Sequence, residues 1–462
     1  MDVVIIGNGA VGLSLASGLL ATNSKINISI VGPFTRSHSA SLAAAAMLNS
    51  FAELEPDALE TRINESKFHA SQIASKLWIN FLKENNISTS FLKMGTMLIN
   101  NSASDNFEDK NFDAIKNYLD KFDEPYENVN PNHINGYRPA HKFRAQRAIF
   151  IKNEGWIHPD GVLKSLEDNL RLKGVKFIDD HVTSLTISNE KTELVLLDSS
   201  KKLTADIYVL ANGSNTSNLY NSSKNIQKQM MQIVHGIGCT IELKTSTISS
   251  DYVIRTPNRG GACGIYHAPY NQNSFIFGAS NLISTLPEQF PRLSVVQNLT
   301  QGAIEQININ HYKSLLSKVN IGFRPISIDT YPVIGWLNSN TYTITGTRRD
   351  GYHFAPWIAK TCSKDILDST FEDEYLSFCD PLRKPYTFGT VEDCANKYAA
   401  NKLSALSQHG FDPGHTFQLE ELYKKYKNQV LEYFESKDIP FGIAPDIIEP
   451  MISGFIDYRL FK

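Results

Sequence analysis

The hydrophobic positions at the start of the chain predict a β-α-β unit. Residues 2–6 form a short apolar run rich in β-branched side chains that ends at a glycine, the pattern of a buried parallel strand. Small and apolar residues over 10–20 predict a helix that packs closely on a sheet, and residues 26–31 predict a second strand. A long amphipathic helix is predicted over 62–84, outside this first unit.

Farther along, the pattern predicts one well-marked helix and several strands. Asp160 is the predicted N-cap of a helix that ends before Gly174. The polar stretch 100–111 has the composition of a surface loop. Short apolar runs predict strands over 175–178, 182–187, 194–197 and 207–213, the last ending in a turn.

The C-terminal stretch, residues 380–462, predicts helices of its own. Apolar residues share one helical face, opposite several lysines, so this face should pack on the rest of the protein. They are Leu419, Leu422, Tyr423, Tyr426, Val430 and Phe434.

The composition indicates a globular protein of two or three domains. The chain has 462 residues, of which 42% are hydrophobic, and a formal net charge of −3, so it lacks the basic surplus of a nucleic-acid-binding protein. Its five cysteines are odd in number and lack C-x-x-C spacing, which argues against a disulfide framework and a metal site. No stretch reaches the ~18 uncharged apolar residues of a membrane span, and we expect a cytoplasmic protein.

A glycine motif lies directly between the first predicted strand and helix. Gly7, Gly9 and Gly12 form a G-x-G-x-x-G sequence, which in this context is typical of a dinucleotide-binding turn. Gly7 permits the tight turn, Gly9 lets the backbone approach a pyrophosphate, and Gly12 lets the helix close on the strand. The first helical amides, at Ala10 and Val11, should then face the phosphates.

The residues after the second strand depart from this motif. An acid that binds a ribose hydroxyl is expected about 20 residues beyond the last glycine, but Gly32 stands there. The base nearby, Arg36, leaves two alternatives open. It binds a 2′-phosphate, which implies NADP, or it lies in a solvated loop while backbone groups hold the ribose.

Several later segments share their order and composition with one family. A small-residue run at 37–55 follows the second strand, and residues 155–159 and 209–213 mark a helix start and a strand end. Residues 322–325 read G-F-R-P, and residues 346–356 form a second glycine-containing segment. Together these segments resemble the glycine oxidases and the wider D-amino-acid oxidase family of flavoproteins.

This resemblance implies FAD as the cofactor and an α/β fold. It implies a Rossmann-type FAD-binding domain, an interleaved α+β substrate domain and a mostly helical C-terminal extension. The FAD domain would comprise residues 1–50, 150–225 and 321–370, the substrate domain residues 51–149 and 226–320, and the extension residues 371–462. Beyond the glycine turn, the residues that the resemblance places at the cofactor are Ala44, Ala45, Met47, Val182, Ala211, Gly213, Gly346, Asp350, Gly351, Tyr352 and His353.

The resemblance also nominates residues for substrate binding. Arg324 inherits the role of the arginine that binds the substrate carboxylate, for which a planar guanidinium is well suited. Arg349 and Tyr352 are further candidates. A tyrosine that assists the arginine in glycine oxidases corresponds here to Gly264 or Tyr266. If Gly264 occupies that position, the pocket is enlarged, and the substrate is bulkier than glycine or N-methylglycine.

The implied reaction is the transfer of a hydride from the amine-bearing carbon of an amino acid or amine, giving an imine. Dioxygen or another acceptor would then reoxidise the flavin. Three histidines, His158, His267 and His353, are expected to serve packing or hydrogen bonding rather than catalysis. The alternatives are a 2-hydroxy-acid dehydrogenase, an NADP reductase and a flavin-binding protein without turnover. The sequence does not indicate an oligomeric state.

Overall fold

The computed structural model describes residues 1–101, 106–259, 264–271, 273–408 and 416–461. Its α-helices, in chain order, are α1 (Ala10–Thr22), α2 (Ala40–Ala43), α3 (Arg62–Glu84), α4 (Asn106–Lys121), α5 (Pro159–Leu172), α6 (Thr216–Asn221), α7 (Leu293–Gly302), α8 (Ala355–Leu367), α9 (Glu374–Ser377), α10 (Val391–Gln408), α11 (Thr416–Ser436) and α12 (Pro445–Ile452). Among the described residues, no helix combines the length and the apolar character that crossing a membrane requires.

The first sheet is the Rossmann-type unit that the glycine motif predicts. Its strands are β1 (Asp2–Ile6), β2 (Asn27–Val31), β7 (Lys176–Ile178), β11 (Ile207–Leu210), β18 (Val333–Asn338) and β19 (Thr341–Thr345). They lie in the order β18-β19-β11-β1-β2-β7, and all pairs are parallel except β18 with β19. This arrangement confirms the predicted α/β class.

Both faces of this sheet are buried, which explains the continuous apolar run of β1. Val3 and Ile5 point to a core shared with α1, α3, α5 and α8. Val4 and Ile6 point to a second core that contains residues of α10, α11 and α12. The C-terminal helices therefore pack on the body of the protein, as their apolar stripe predicts.

A small antiparallel sheet lies beside the first. It consists of β8 (Val182–Ser188), β9 (Lys191–Leu197) and β10 (Lys202–Leu203). Apolar side chains at alternate positions of β8 and β9 are buried in the second core.

A large mixed sheet contains the remaining strands. Its strands are β3 (Met47–Leu48), β4 (Leu92–Asn101), β5 (Tyr126–Asn128), β6 (Ala145–Ile157), β12 (Ile233–Lys244), β13 (Val253–Arg255), β14 (Tyr266–Pro269), β15 (Ser274–Gly278), β16 (Leu282–Ser284) and β17 (Leu315–Ser327). The longest pairing, β12 with β17, is antiparallel. The domain boundaries predicted at residues 150 and 321 fall inside β6 and β17, because these strands continue from one predicted domain into the other.

Two local predictions differ from the structure. Helix α5 begins at Pro159, and its N-cap is His158, two residues before the predicted N-cap Asp160. The Nδ1 of His158 accepts from Gly161 N at 3.0 Å. Proline is favoured at the first helical position, and this sets the start. Gly174, with φ of +86°, lies just beyond the end of the helix, as predicted.

Helix α4 covers part of the stretch that was predicted as a surface loop. Its Glu108 is buried and forms an ion pair with Arg259 at 2.7 Å. Asn111 is buried as well and donates to Asn258 O at 2.9 Å. These polar side chains bind distant partners, which a local polar pattern does not reveal. Residues 102–105 lie outside the described residues.

Candidate active site

A cavity of about 910 Å³ lies where the first sheet meets the large sheet. It is bounded by the segments that follow β1, β2, β7 and β11, and by β12 and β17 of the large sheet. The carboxyl ends of parallel strands are the edge at which open α/β sheets bind ligands. The cavity therefore lies where the sequence places the cofactor.

The glycine turn after β1 is built from close backbone contacts. Gly7 has φ of +120°, and a Cβ there would lie 2.2 Å from Ala211 O. A Cβ at Gly12 would lie 2.0 Å from Gly7 O, so α1 can approach the turn only because residue 12 is glycine. Gly12 packs helix against strand and does not line the cavity, whereas Gly7 does.

The N-terminus of α1 faces the cavity. Gly9, Ala10 and Val11 line it, and Gly9, the N-cap residue, has no side chain to cap the helical amides. A Cβ at Gly9 would lie 2.9 Å from Ser41 Oγ, which accepts from Ala10 N at 3.0 Å. The positive end of the helix dipole and the adjacent amides suit a pyrophosphate.

Arg36 is tied into the protein. Its Nε donates to Asn8 O at 2.8 Å, and its guanidinium pairs with Glu167 of α5. Although burial favours the neutral acid, hydrogen bonds from Arg36 and Arg171 lower the pKa of Glu167. With its side chain 11% exposed, Arg36 is not the solvated arginine of one alternative. Its bond to Glu167 also disfavours the other alternative, a 2′-phosphate ligand.

Gly32, which stands where an acid that binds the ribose was expected, is closely packed. A Cβ at Gly32 would lie 2.9 Å from Asn8 Oδ1, so a longer side chain cannot be accommodated there without displacing Asn8. Asn8 Nδ2 donates to Pro33 O at 2.9 Å. Asp180 follows β7, the strand that pairs with β2, and lines the cavity together with Gly32. Asp180 therefore contributes an acidic residue to the cavity wall near Gly32.

The alanine-rich segment forms one wall of the cavity. Helix α2 ends at Ala43, and the backbone of Ala44 is extended with φ of −74° and ψ of 145°. Ala44, Ala45 and Met47, which the resemblance places at the cofactor, line the cavity. Small side chains let a flat ring approach this backbone closely.

Three further predicted residues, Val182, Ala211 and Gly213, line the cavity, but Gly346 does not. Gly346 has φ of +67°, and a Cβ there would lie 3.0 Å from Val333 N. Gly346 lies in the turn after β19, where its positive φ lets the chain turn into the segment that follows.

Arg324 enters the cavity from β17. Its Nη2 donates to Ser280 O at 2.6 Å and to Asn281 Oδ1 at 3.0 Å. On the neighbouring strand β12, a Cβ at Gly238 would lie 2.8 Å from Arg324 Cζ, so the guanidinium packs on bare backbone. These contacts fix the position of a cationic fork that matches a carboxylate.

The two alternatives for the assisting tyrosine are separated by the structure. Tyr266 lines the cavity, whereas a Cβ at Gly264 would lie 2.1 Å from Pro257 O, away from it. Tyr266 is 5% exposed and packs with Ala45 and Ile276. Of these two residues, Tyr266 therefore borders the cavity, as the strand register of β14 directs.

Arg349, the other arginine candidate, is half-buried and lines the cavity. Its neighbour Arg348 also lines the cavity and pairs with Asp446 of α12. Tyr352 lines it too, but its hydroxyl is directed to Ser41 O at 3.1 Å and Pro159 O at 3.3 Å. Its hydroxyl therefore bonds the protein backbone.

Comparison with known proteins identifies the family. The model of the FAD-dependent oxidoreductase family called DAO matches residues 2–364. The chain belongs to this family. A search of curated protein sequences gave no significant match.

Solved structures share the fold of this FAD-dependent oxidoreductase at low sequence identity. Iminodiacetate oxidase from Chelativorans sp. BNC1 is 16% identical, with a TM-score of 0.68 over 82% of this chain and 98% of that one. Glycine oxidase from Geobacillus kaustophilus is 16% identical, with a TM-score of 0.68 over 83% of this chain and 98% of that one. L-Proline dehydrogenase from P. horikoshii is 17% identical, with a TM-score of 0.68 over 83% of this chain and 97% of that one.

The cavity residues of this FAD-dependent oxidoreductase fit its cofactor. Besides the glycine cradle, two buried ring nitrogens that border the cavity, His38 Nδ1 and His353 Nδ1, have no hydrogen-bond partner among the described residues. A bound cofactor with many polar atoms would supply such partners. The opposite nitrogen of His353, Nε2, bonds Ser71 Oγ at 2.8 Å, and burial lowers the pKa of this histidine. His353 is therefore neutral and held in place.

The segment before α8 lies at the other end of the cavity. Gly351 lines it, and α8 begins four residues later, at Ala355. Asp350 pairs with Lys67 at 2.7 Å. Burial raises the pKa of Asp350, but the charge and hydrogen bond of Lys67, together with the charges of His353 and Arg348, outweigh it, and the net shift is downward. Asp350 is therefore a stable anion that anchors this segment to α3.

Sequence reasoning missed a cluster of hydrogen-bonded polar side chains beside the cavity. Asn49 and Glu53 line it, and the fully buried Arg255 donates to both, at 2.9 and 3.2 Å. Glu154 accepts backbone hydrogen bonds from Ser50 and its neighbours. These residues lie about a hundred or more positions apart, and no local spacing marks them.

Proposed function

We propose that this FAD-dependent oxidoreductase oxidises the carbon–nitrogen bond of an amine that carries a carboxylate. The observation that supports this most is Arg324, whose guanidinium shares one cavity with the glycine turn. The structurally similar proteins are named as oxidases or dehydrogenases of iminodiacetate, glycine and proline, all of which contain a carboxylate and an amine. The binding roles of the predicted cofactor residues belong to the same proposal.

When bound, FAD supplies the acceptor for a hydride that leaves the carbon next to the substrate nitrogen. The nitrogen lone pair then forms the C=N bond, the nitrogen proton passes to solvent, and water hydrolyses the imine. Arg324 holds the carboxylate and so brings the reacting carbon to the ~3–3.5 Å of a near-attack geometry. If the amine binds neutral, no strong side-chain base is required.

The walls of the cavity protect this reaction from water. Ala45, Met47, Tyr266 and Ile276 form a small apolar cluster beside the substrate side. An apolar wall excludes water from the reacting carbon and strengthens the attraction between Arg324 and a carboxylate. Tyr266 contributes the bulk that the resemblance assigns to a tyrosine at this point.

Anaerobic flavin bleaching tests the proposal. We expect N-methylglycine or a larger amino acid to bleach the flavin, and 2-hydroxy acids and NADPH to leave it oxidised. Bleaching by hydroxy acids alone or by NADPH alone would reject amine oxidation. Reoxidation rates with dioxygen and with a quinone dye then separate an oxidase from a dehydrogenase.

Arg324→Ala tests the carboxylate anchor. Because loss of one partner of a buried charge pair costs ~2–5 kcal/mol, kcat/KM should fall by roughly 30-fold to several thousand-fold with carboxylated amines. The decarboxylated counterpart of each substrate is the matched control and should lose far less. Equal losses for both would show that Arg324 does not bind the carboxylate.

A further inference from the structure

A second cavity of about 810 Å³ lies on the other side of the Arg324 wall. One side is formed by β12, β15, β16 and α7, and the other by α10 and α12 of the C-terminal extension. Both of these helices lie beyond residue 364, where the family match ends. The extension therefore adds a cavity to the fold that the family model describes.

The two cavities are neighbours that share their partition. Cys239 borders both of them. Ser280 and Asn281, whose oxygens accept from Arg324, line the second cavity, whereas Arg324 lines the first. The Arg348–Asp446 ion pair joins a residue of the first cavity to one of the second. The predicted carboxylate anchor thus stands at the boundary between the two spaces.

The segment 287–290 forms part of the same partition. Pro287 and Gln289 line the first cavity, whereas Glu288 and Phe290 line the second. Phe290 is 80% exposed. Alternate residues of this segment therefore border different cavities.

The acidic side chains that line the second cavity are paired with basic ones. Among the described residues, three carboxylates line it, and each forms an ion pair with a base: Glu288 with Arg292 at 2.5 Å, Glu449 with Lys402 at 2.8 Å, and Asp446 with Arg348. Apolar side chains make up much of the remaining wall, including Phe277, Ile283, Phe290, Val295 and Phe455. A charged ligand group would find no unpaired opposite charge in these pairs, so the space suits a neutral one.

One polar atom in this wall has no partner. Asn401 Oδ1, on α10, is buried and accepts no hydrogen bond from any described residue. A buried carbonyl oxygen that lacks a donor costs free energy, and a ligand hydroxyl or amide would satisfy it.

We propose that the second cavity holds the distal arm of an extended substrate. The substrate class is an amino acid with a long neutral, apolar or aromatic arm on its nitrogen or α-carbon, and the arm ends in a hydrogen-bond donor. Its carboxylate binds Arg324 at the partition, the amine-bearing carbon lies in the first cavity, and the arm passes into the second. This substrate class rests on the amine oxidation proposed above.

Calorimetric binding to the purified FAD-loaded enzyme tests the arm without requiring turnover. The probes are acetate, 3-phenylpropionate, 5-phenylpentanoate and 7-phenylheptanoate, which share the carboxylate and differ in arm length. We expect Kd to fall by roughly 10-fold or more along this series as apolar area is buried. A Kd that does not depend on arm length would overturn the proposal.

Two alanines of α10 provide a matched pair of variants. Ala405 lines the second cavity, whereas Ala400, one of the half-buried residues of the same helix, lines neither cavity. Ala405→Phe should abolish the gain from a long arm and leave acetate binding unchanged, and Ala400→Phe should keep the gain. Equal behaviour of the two variants would reject the second cavity as the arm site.

Asn401→Leu gives an independent measurement. A para-hydroxyl on the phenylheptanoate should tighten binding to the wild-type enzyme, and this advantage should disappear in Asn401→Leu. An undiminished advantage would contradict the role of Asn401. Flavin that no amine reduces, combined with arm-dependent binding, would reject amine oxidation but keep the arm site. Amine turnover without any arm dependence would reject only the arm site.

Discussion

The position of the Arg324 guanidinium on the bare backbone of Gly238 makes a small, directed perturbation possible. In Gly238→Ala the new Cβ would lie 2.8 Å from Arg324 Cζ. Ordinary carbon–carbon contacts are about 3.5–4.0 Å, so the guanidinium must move by about 0.7–1.2 Å. Gly238 lies in a regular strand without positive φ, so the backbone itself accepts alanine.

A displacement of about 1 Å at a substrate anchor can cost roughly 100-fold in rate, or about 2.7 kcal/mol. We therefore expect kcat/KM of Gly238→Ala with N-methylglycine or a longer carboxylated amine to fall by roughly 10- to 100-fold. The flavin content and the melting temperature should stay close to wild type. Stopped-flow reduction of the flavin at varied substrate concentration measures this effect directly.

Gly236→Ala is the control, because it adds the same methyl group two residues away on the same strand. Its Cβ would lie 2.5 Å from Ile326 Cδ1 and 3.2 Å from Arg324 Cβ, while the guanidinium is not among its nearest contacts. This variant should lose stability more than substrate affinity. Unchanged kcat/KM in Gly238→Ala, or equal losses in both variants, would refute the argument that the guanidinium positions the substrate.

Four further predictions follow from the site and from one buried pair. Gly9→Val should abolish FAD retention, because the side chain occupies the space beside Ser41 where the backbone meets the pyrophosphate; full occupancy after purification would contradict this. Asp180→Asn should raise the Kd of FAD several-fold in apoprotein titrations, and an unchanged Kd would show that Asp180 does not bind the ribose. Arg36→Ala should lower the melting temperature, and NADPH should fail to reduce the flavin of both the variant and the wild-type enzyme. Burial lowers the pKa of His311 from 6.5 to about 4. The free energy of unfolding should therefore fall by up to about 3 kcal/mol as the pH drops from 6.5 to 4. Urea titrations of His311→Asn should show a free energy of unfolding that depends less on pH.

The parts of the fold that could be predicted depend on contacts close in sequence. The long helix α3, Arg62–Glu84, has the predicted bounds, because its hydrophobic period is set within the helix itself. The glycine turn was predicted for a similar reason, since Gly7, Gly9 and Gly12 act within one strand–helix connection. The family and its FAD cofactor, inferred from the order of such segments, are confirmed.

The parts that could not be predicted depend on partners far apart in the chain. Arg36 was judged from its own loop, but its partner Glu167 lies 131 residues away. Tyr266 and Gly264 could not be separated, since their exposure to the cavity depends on the register of β14. The second cavity, which includes Asn401, arises only where the extension meets the large sheet.

The hydrophobic core that the first sheet shares with the C-terminal helices is completed late in synthesis. Val4 and Ile6 of β1 belong to the same hydrophobic core as Val430 of α11 and Ile448 of α12. On the ribosome, β1 emerges more than 400 residues before those helices, which at ~5–20 residues per second is an interval of about 20–90 seconds. During this interval the core that contains Val4 and Ile6 lacks the side chains of the extension, so it can be completed only after the extension has been synthesised.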